Sequence, residues 1–219
     1  ALERAVALRS ASAFVAPAGF AAGGLAMLAG ASALAGGAMV VGAVAMAAGQ
    51  WRLLRVDRSA HLLLMAVAAA CALAAALLDA LAPGARDAAL ASWLCFLVLT
   101  IAAERLEMSR LMRRRPAAGP TLAVAAIGML AGPVLMLVGP LPSPGRAVMG
   151  GGLLTMALWL GTFDVARRTI RLPGLPRYMA WCLAAGYLWL AVAGVAWTAW
   201  GMGGAGGRDA AIHAIAIGF

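Results

Sequence analysis

His213 is one of two histidines in the chain, and it lies inside an apolar segment with no ready route for its ring to reach an interface. A polar ring at membrane depth is costly and marks a functional-site candidate by default. Its neutral imidazole can ligate haem iron or copper. His213 is therefore the candidate cofactor-binding and metal-ligating residue. It lies about one turn from the start of its segment, so a position at the interface is the competing reading. His61, one turn into another segment and beside a basic loop, reads as interfacial.

The densest charge is the stretch Glu104-Arg105-Leu106-Glu107-Met108-Ser109-Arg110, followed by Arg113-Arg114-Arg115. Glu107 and Arg110 stand at i,i+3 and Asp164 and Arg168 at i,i+4, spacings at which side chains on one helix face can pair. Glu104, Arg105, Glu107, Arg110, Asp164 and Arg168 thus form a candidate charged cluster, with solvated helix ends at lipid headgroups as the plainer reading. Methionines recur at i,i+7 as Met39/Met46, Met129/Met136 and Met149/Met156. Thioethers suit Cu(I), but methionine also fills gaps in apolar packing. The three cysteines, Cys71, Cys95 and Cys182, fall in apolar segments and read as packing residues. Tyr187 and Trp189 could flank a cofactor; packing is the simpler role. No G-x-S-x-G, Walker, HExxH or Rossmann pattern is present, so nothing supports a hydrolase or a nucleotide enzyme.

The elements that would position these residues are membrane helices. Hydrophobic residues make up 64% of the chain and charged residues 11%, with mean hydropathy +0.94. Soluble domains carry about a quarter charged residues. The expected class is all-α: a polytopic transmembrane bundle forming a single domain over 1–219. The charge-free run from Ala11 to Gln50 is about twice the ~20 residues of one span, and predicts a hairpin of 11–29 and 33–50 turning near Gly30. Pro17 is expected to kink the first helix, and Gly19 and Gly23 form a GxxxG that admits a close neighbour. Further helices are predicted over 60–80, 88–112, 121–139 (with a kink at Gly132-Pro133), 147–168 and 178–200. An eighth segment starts at Ala210. That gives about seven complete spans and the beginning of another. A cleaved signal peptide is the rival reading of the first segment. Since the chain begins without Met and stops inside an apolar run, the expectation is a portion of a longer protein.

The net charge is +9 and every basic residue is Arg. In a soluble protein this would point to nucleic acid. Here the charge sits between apolar runs, which fits retention at the inner membrane face and argues against nucleic-acid binding. Of the 17 arginines, only Arg86, Arg146 and Arg208 fall in loops that alternation assigns outward. The expected location is a bacterial plasma (inner) membrane, multi-pass, with a cytoplasmic N-terminus and inner loops near 51–59, 104–120 and 164–177. Those basic loops would attract anionic lipid. An oligomer is compatible with the pattern. A weak repeat relates Trp51-Arg52-Leu53-Leu54-Arg55 to Val165-Ala166-Arg167-Arg168-Thr169, each lying between two apolar segments.

The stretch Ala103-Glu104-Arg105-Leu106-Glu107-Met108-Ser109-Arg110 resembles the G-E-R-L-E-L-S-R segment of the NnrS-like polytopic membrane proteins. Ala103 stands in place of the Gly. The terminal His213-Ala214-Ile215-Ala216-Ile217-Gly218-Phe219 has the H-x4-G-F form of that family's histidine-bearing helices, and Asp164-Val165-Ala166-Arg167-Arg168-Thr169 is also similar. The resemblance implies a haem- or copper-containing membrane protein of the nitric oxide response, with His213 as the metal-ligating candidate. One histidine does not supply a bis-histidine site. A transporter or permease module is the second reading, motivated by the repeat and with Asp79 as its one candidate coupling carboxylate. A structural or assembly subunit is the third.

Overall fold

In a computed structural model, residues 11–109 and 116–219 are described. They are helical, with no strand among them. A 3-10 turn, Ala11–Phe14, leads into α1 (Val15–Leu28). There follow α2 (Ser32–Val56), α3 (Ala60–Leu81), a 3-10 turn Pro83–Ala85, and α4 (Arg86–Met108). Then come α5 (Ala118–Val138), α6 (Ser143–Phe163), the short α7 (Ala166–Thr169), α8 (Leu175–Gly201) and α9 (Gly207–His213), which runs on into a π turn, Ala214–Gly218. Hydrophobic runs and breakers locate these helices well, since uninterrupted apolar stretches of this length can satisfy their backbone only as helix.

Among the described residues five helices are long and apolar enough to cross a membrane: Ser32–Val56, Ala60–Leu81, Pro83–Met108, Ala118–Val138 and Leu175–Gly201. That is fewer than the expected seven or so complete spans. The first helix is shorter, with 14 residues in α1. α6 has 21 residues, but Arg146 and a run of glycines lower its hydropathy. Pro17 falls in the first α-turn, where a missing N–H breaks no intrahelical bond, so it does not have the mid-helix role expected of it. Pro133 stands inside α5, which continues through it to Val138. The α1–α2 turn closes at Gly30, in the left-handed region at φ 77°. The Ala31 N–H reaches back to the Ala26 carbonyl at 2.9 Å, a Schellman-type end that favours glycine.

The chain divides into two compact units, residues 1–100 and 101–219. The first has an alanine-rich core, with Ala68, Ala72 and Ala75 of α3 and Ala91, Cys95 and Val98 of α4 buried. The second is filled by larger side chains, among them Met129, Met149, Met156, Leu190 and Trp197. These methionines pack in the interior, as gap-filling thioethers do. Cys71 and Cys95 are buried as expected, whereas Cys182 is exposed on α8.

The two units repeat one construction. Residues 16–30 and 125–139 share the pattern A-x2-G-x2-A-G-x3-M-L-x-G, and 39–47 and 149–157 share M-x2-G-x3-M-A. The contacts repeat as well. A Cβ at Gly19 would lie 2.7 Å from the Gly42 Cα, and one at Gly128 would lie 3.2 Å from the Gly152 Cα. A Cβ at Gly23 would lie 2.8 Å from the Met39 Cγ, and one at Gly132 would collide with the Met149 side chain. Each unit therefore contains a hairpin closed by glycines at helix contact. The motif Arg-Asp-Ala-Ala also recurs at residues 86–89 and 208–211, near the starts of α4 and α9. The expected pairing of Trp51-Arg52-Leu53-Leu54-Arg55 with Val165-Ala166-Arg167-Arg168-Thr169 is not the register these contacts give. Gly42 matches Gly152, and α7 is extra chain in the second unit.

Candidate functional site

α6 ends at Asp164, whose backbone turns extended (φ −72°, ψ 155°). This break sets aside the expected i,i+4 pairing with Arg168. The two residues are not on one continuous helix, and Arg168 is exposed. The Asp164 side chain is 1% exposed, so its charge must find partners inside the protein. Its Oδ1 accepts from Arg105 Nε at 3.2 Å, across 59 residues of sequence. Its Oδ2 accepts from the Tyr187 hydroxyl at 2.7 Å and from the Ala166 N–H at 3.2 Å. One carboxylate thereby ties the C-terminal end of α4 to the α6–α7 break and to the middle of α8, and caps the start of α7. Tyr187 reads in sequence as packing; the structure gives its hydroxyl a specific acceptor.

The rest of the expected cluster does not gather at this point. Glu104 and Glu107 are exposed on α4, each engaged in interactions of its own. Arg110, the proposed partner of Glu107, lies outside the described residues. Ser109 is buried and donates to the Leu106 carbonyl at 2.9 Å. His61, expected at an interface, is buried at 7% exposure.

His213 is exposed, at the last residue of α9. Its Nδ1 lies 2.7 Å from the Asp209 carbonyl oxygen. A carbonyl only accepts, so Nδ1 carries the proton, and in the neutral ring Nε2 keeps its lone pair. Among the described residues no group of three or more His, Cys, Asp or Glu is placed to hold a metal ion.

The first unit also holds a cavity of 640 Å³ where the α1–α2 turn and the end of α3 meet α4. Its walls are mostly small and apolar, with Met27, Met39, Ser32, Asp79, Arg86 and Trp93 among them. Trp93 Nε1 donates to Asp79 Oδ2 at 2.8 Å. In the sequence Asp79 is only a carboxylate near a loop; nothing in its spacing shows the indole 14 residues away.

No curated protein and no solved structure matches this chain. One family model matches along the whole of residues 1–219, and by that match the chain belongs to the family described as Domain of unknown function (DUF8744).

Proposed function

We propose that this is an integral protein of a bacterial inner membrane, with about seven complete spans and the start of an eighth. In this reading His213 would hold haem or copper, in a protein similar to the NnrS-like group and acting in the nitric oxide response. The observation that supports it is the Nδ1 contact to the Asp209 carbonyl at 2.7 Å. Metal-ligating imidazoles commonly anchor the far ring nitrogen in this way, which fixes the tautomer and frees Nε2. The donor set fits haem better than copper. His213 alone would suffice to hold haem iron through one imidazole, whereas a closed copper site would need further donors. Bound haem would supply redox and diatomic-ligand chemistry. The chain's part is to hold the imidazole proton on Nδ1. The full-length protein purified from haem-replete cells should show a Soret band, or else stoichiometric copper, that His213→Ala reduces at least about tenfold. A colourless, metal-free preparation would sink this reading.

Orientation belongs to the same proposal. The exposed arginines at 52, 55 and 58 and at 167, 168, 171 and 177 suit a cytoplasmic face against anionic lipid, because positive loops are retained there. In a background lacking Cys71, Cys95 and Cys182, Ala85→Cys and Ala205→Cys should react with an impermeant maleimide on intact cells. Ala117→Cys should react only after lysis. Labelling of position 117 in intact cells would reverse the orientation.

A further inference from the structure

The duplicated construction shows where the two units have diverged. In the second unit α8 closes tightly against the start of α6 at Gly201. A Cβ there would lie 2.8 Å from the Ala147 N and 3.0 Å from the Ser143 carbonyl oxygen. The gapless match that aligns residues 86–89 with 208–211 places Asp79 opposite Gly201. The match of Gly42 with Gly152 places Ala33 and Gly37 opposite Ser143 and Ala147. Asp79, Ala33 and Gly37 all line the cavity of the first unit. A carboxylate thus stands where the repeat closes on a glycine, and the equivalent space in the first unit is open.

The substitutions around that space are polar and specific. Trp93, which holds Asp79 Oδ2, corresponds to Ile215. Phe20 packs edge-on against the Trp93 ring at 6.1 Å between centroids, which helps fix the indole that orients the carboxylate. Gly36 corresponds to Arg146, whose guanidinium lies 3.8 Å from the centre of the Trp200 ring. Where the second unit stacks Arg on Trp, the first leaves glycine and volume. Arg86 lines the same cavity, and among the described residues no ion pair joins it to Asp79.

From this divergence we infer that the first-unit cavity is a binding site for a small zwitterion with an apolar body. Asp79 Oδ1 accepts from the ligand's ammonium group, and Trp93 keeps Oδ2 occupied. Arg86 donates to the ligand's anionic oxygens, as a guanidinium fork does to a carboxylate or phosphate. The small residues and the Met27 and Met39 thioethers receive the apolar part. A volume of 640 Å³ falls within the range of small-molecule sites, about 300–1,000 Å³. The inference is independent of the role proposed for His213, which no part of it uses. An α-amino acid and the headgroup of phosphatidylethanolamine share this chemistry.

Calorimetric titration of the full chain, purified in a maltoside detergent, separates these sources. L-leucine and dihexanoyl phosphatidylethanolamine are the two probes. Saturable binding of leucine assigns the site to a free amino acid, and saturable binding of the short-chain lipid assigns it to a headgroup. Isoamylamine and 4-methylpentanoate, each carrying one of leucine's two charges, should bind at least about tenfold more weakly than leucine in the first case. Asp79→Asn and Arg86→Gln should each weaken whichever probe binds by about tenfold or more. Gly36→Leu should abolish its binding by filling the cavity, with an unchanged melting temperature confirming that each variant is folded. Absence of binding by both probes at concentrations up to about 10 mM would overturn the inference. So would binding undiminished in folded Asp79→Asn and Arg86→Gln, or undiminished in folded Gly36→Leu.

Discussion

Asp164→Ala is expected to destabilise the protein by about 3 kcal/mol, the low end of what breaking a buried ion pair costs. The variant strands the Arg105 guanidinium, the Tyr187 hydroxyl and the Ala166 N–H, which the one carboxylate satisfies at 3.2, 2.7 and 3.2 Å. The low end applies because the Arg105 side chain is 18% exposed and can turn partly toward water, while that of Asp164 is only 1% exposed. Tyr187→Phe should cost about 1.5–3 kcal/mol, the range for a hydrogen bond to a charged group. The double variant Arg105→Met/Asp164→Leu should recover much of the loss, since two apolar residues leave no uncompensated charge. Arg168→Ala should be close to neutral, because Arg168 is exposed and lies beyond the helix break. Thermal melts of the purified variants in detergent read all four. Equal losses for Asp164→Ala and Arg168→Ala would restore the local i,i+4 pairing and remove the long-range clamp.

The second large effect is expected within a single run of glycines. Gly152→Ala should destabilise by about 3 kcal/mol, the upper part of the overpacking range. Its new Cβ would meet backbone, at 2.7 Å from the Gly128 C and 3.0 Å from the Met129 Cα. Backbone cannot step aside as a flexible side chain can, so α5 and α6 must separate. Gly150→Ala should behave similarly, with the Thr198 N at 2.7 Å and the Gly194 carbonyl oxygen at 2.8 Å. Gly151, between them, has nothing within 4 Å of a built Cβ. Gly151→Ala should be neutral or stabilise by up to about 1 kcal/mol through helix propensity. In the first unit Gly19→Ala should repeat the loss and Gly24→Ala the neutrality, since only Gly19 faces a neighbouring backbone at 2.7 Å. The melting temperatures of these five variants test the packing and the repeat together. A loss at Gly151 as large as that at Gly152 would refute the assigned helix faces.

The sequence by itself determined the helical class and placed the helices closely. The turn at Gly30, the 3-10 turn at Pro83 and the start of α8 near Pro176 all follow from local backbone rules. It also singled out Arg105 and Asp164 as residues to watch. Even the repeat was written in the sequence, at residues 16–30 and 125–139. Its meaning became plain only once Gly19–Gly42 and Gly128–Gly152 were seen to make the same approach.

Tertiary structure alone decided which residues meet. The partner of Asp164 is 59 residues away, and the residue four positions on, which local spacing favours, is cut off by the break at Asp164 itself. Likewise the hydrogen bond from Trp93 to Asp79, the cavity beside it and the exposure of His213 depend on how separate helices pack. The physical reason is the composition. Amphipathic periodicity tells a reader which face of a helix turns inward only when the other face is polar. Helices such as α1 and α5 are apolar all round, so their sequences do not mark a buried face. The choice passes to steric fit between glycines, alanines and methionines on neighbouring helices, which no single segment encodes.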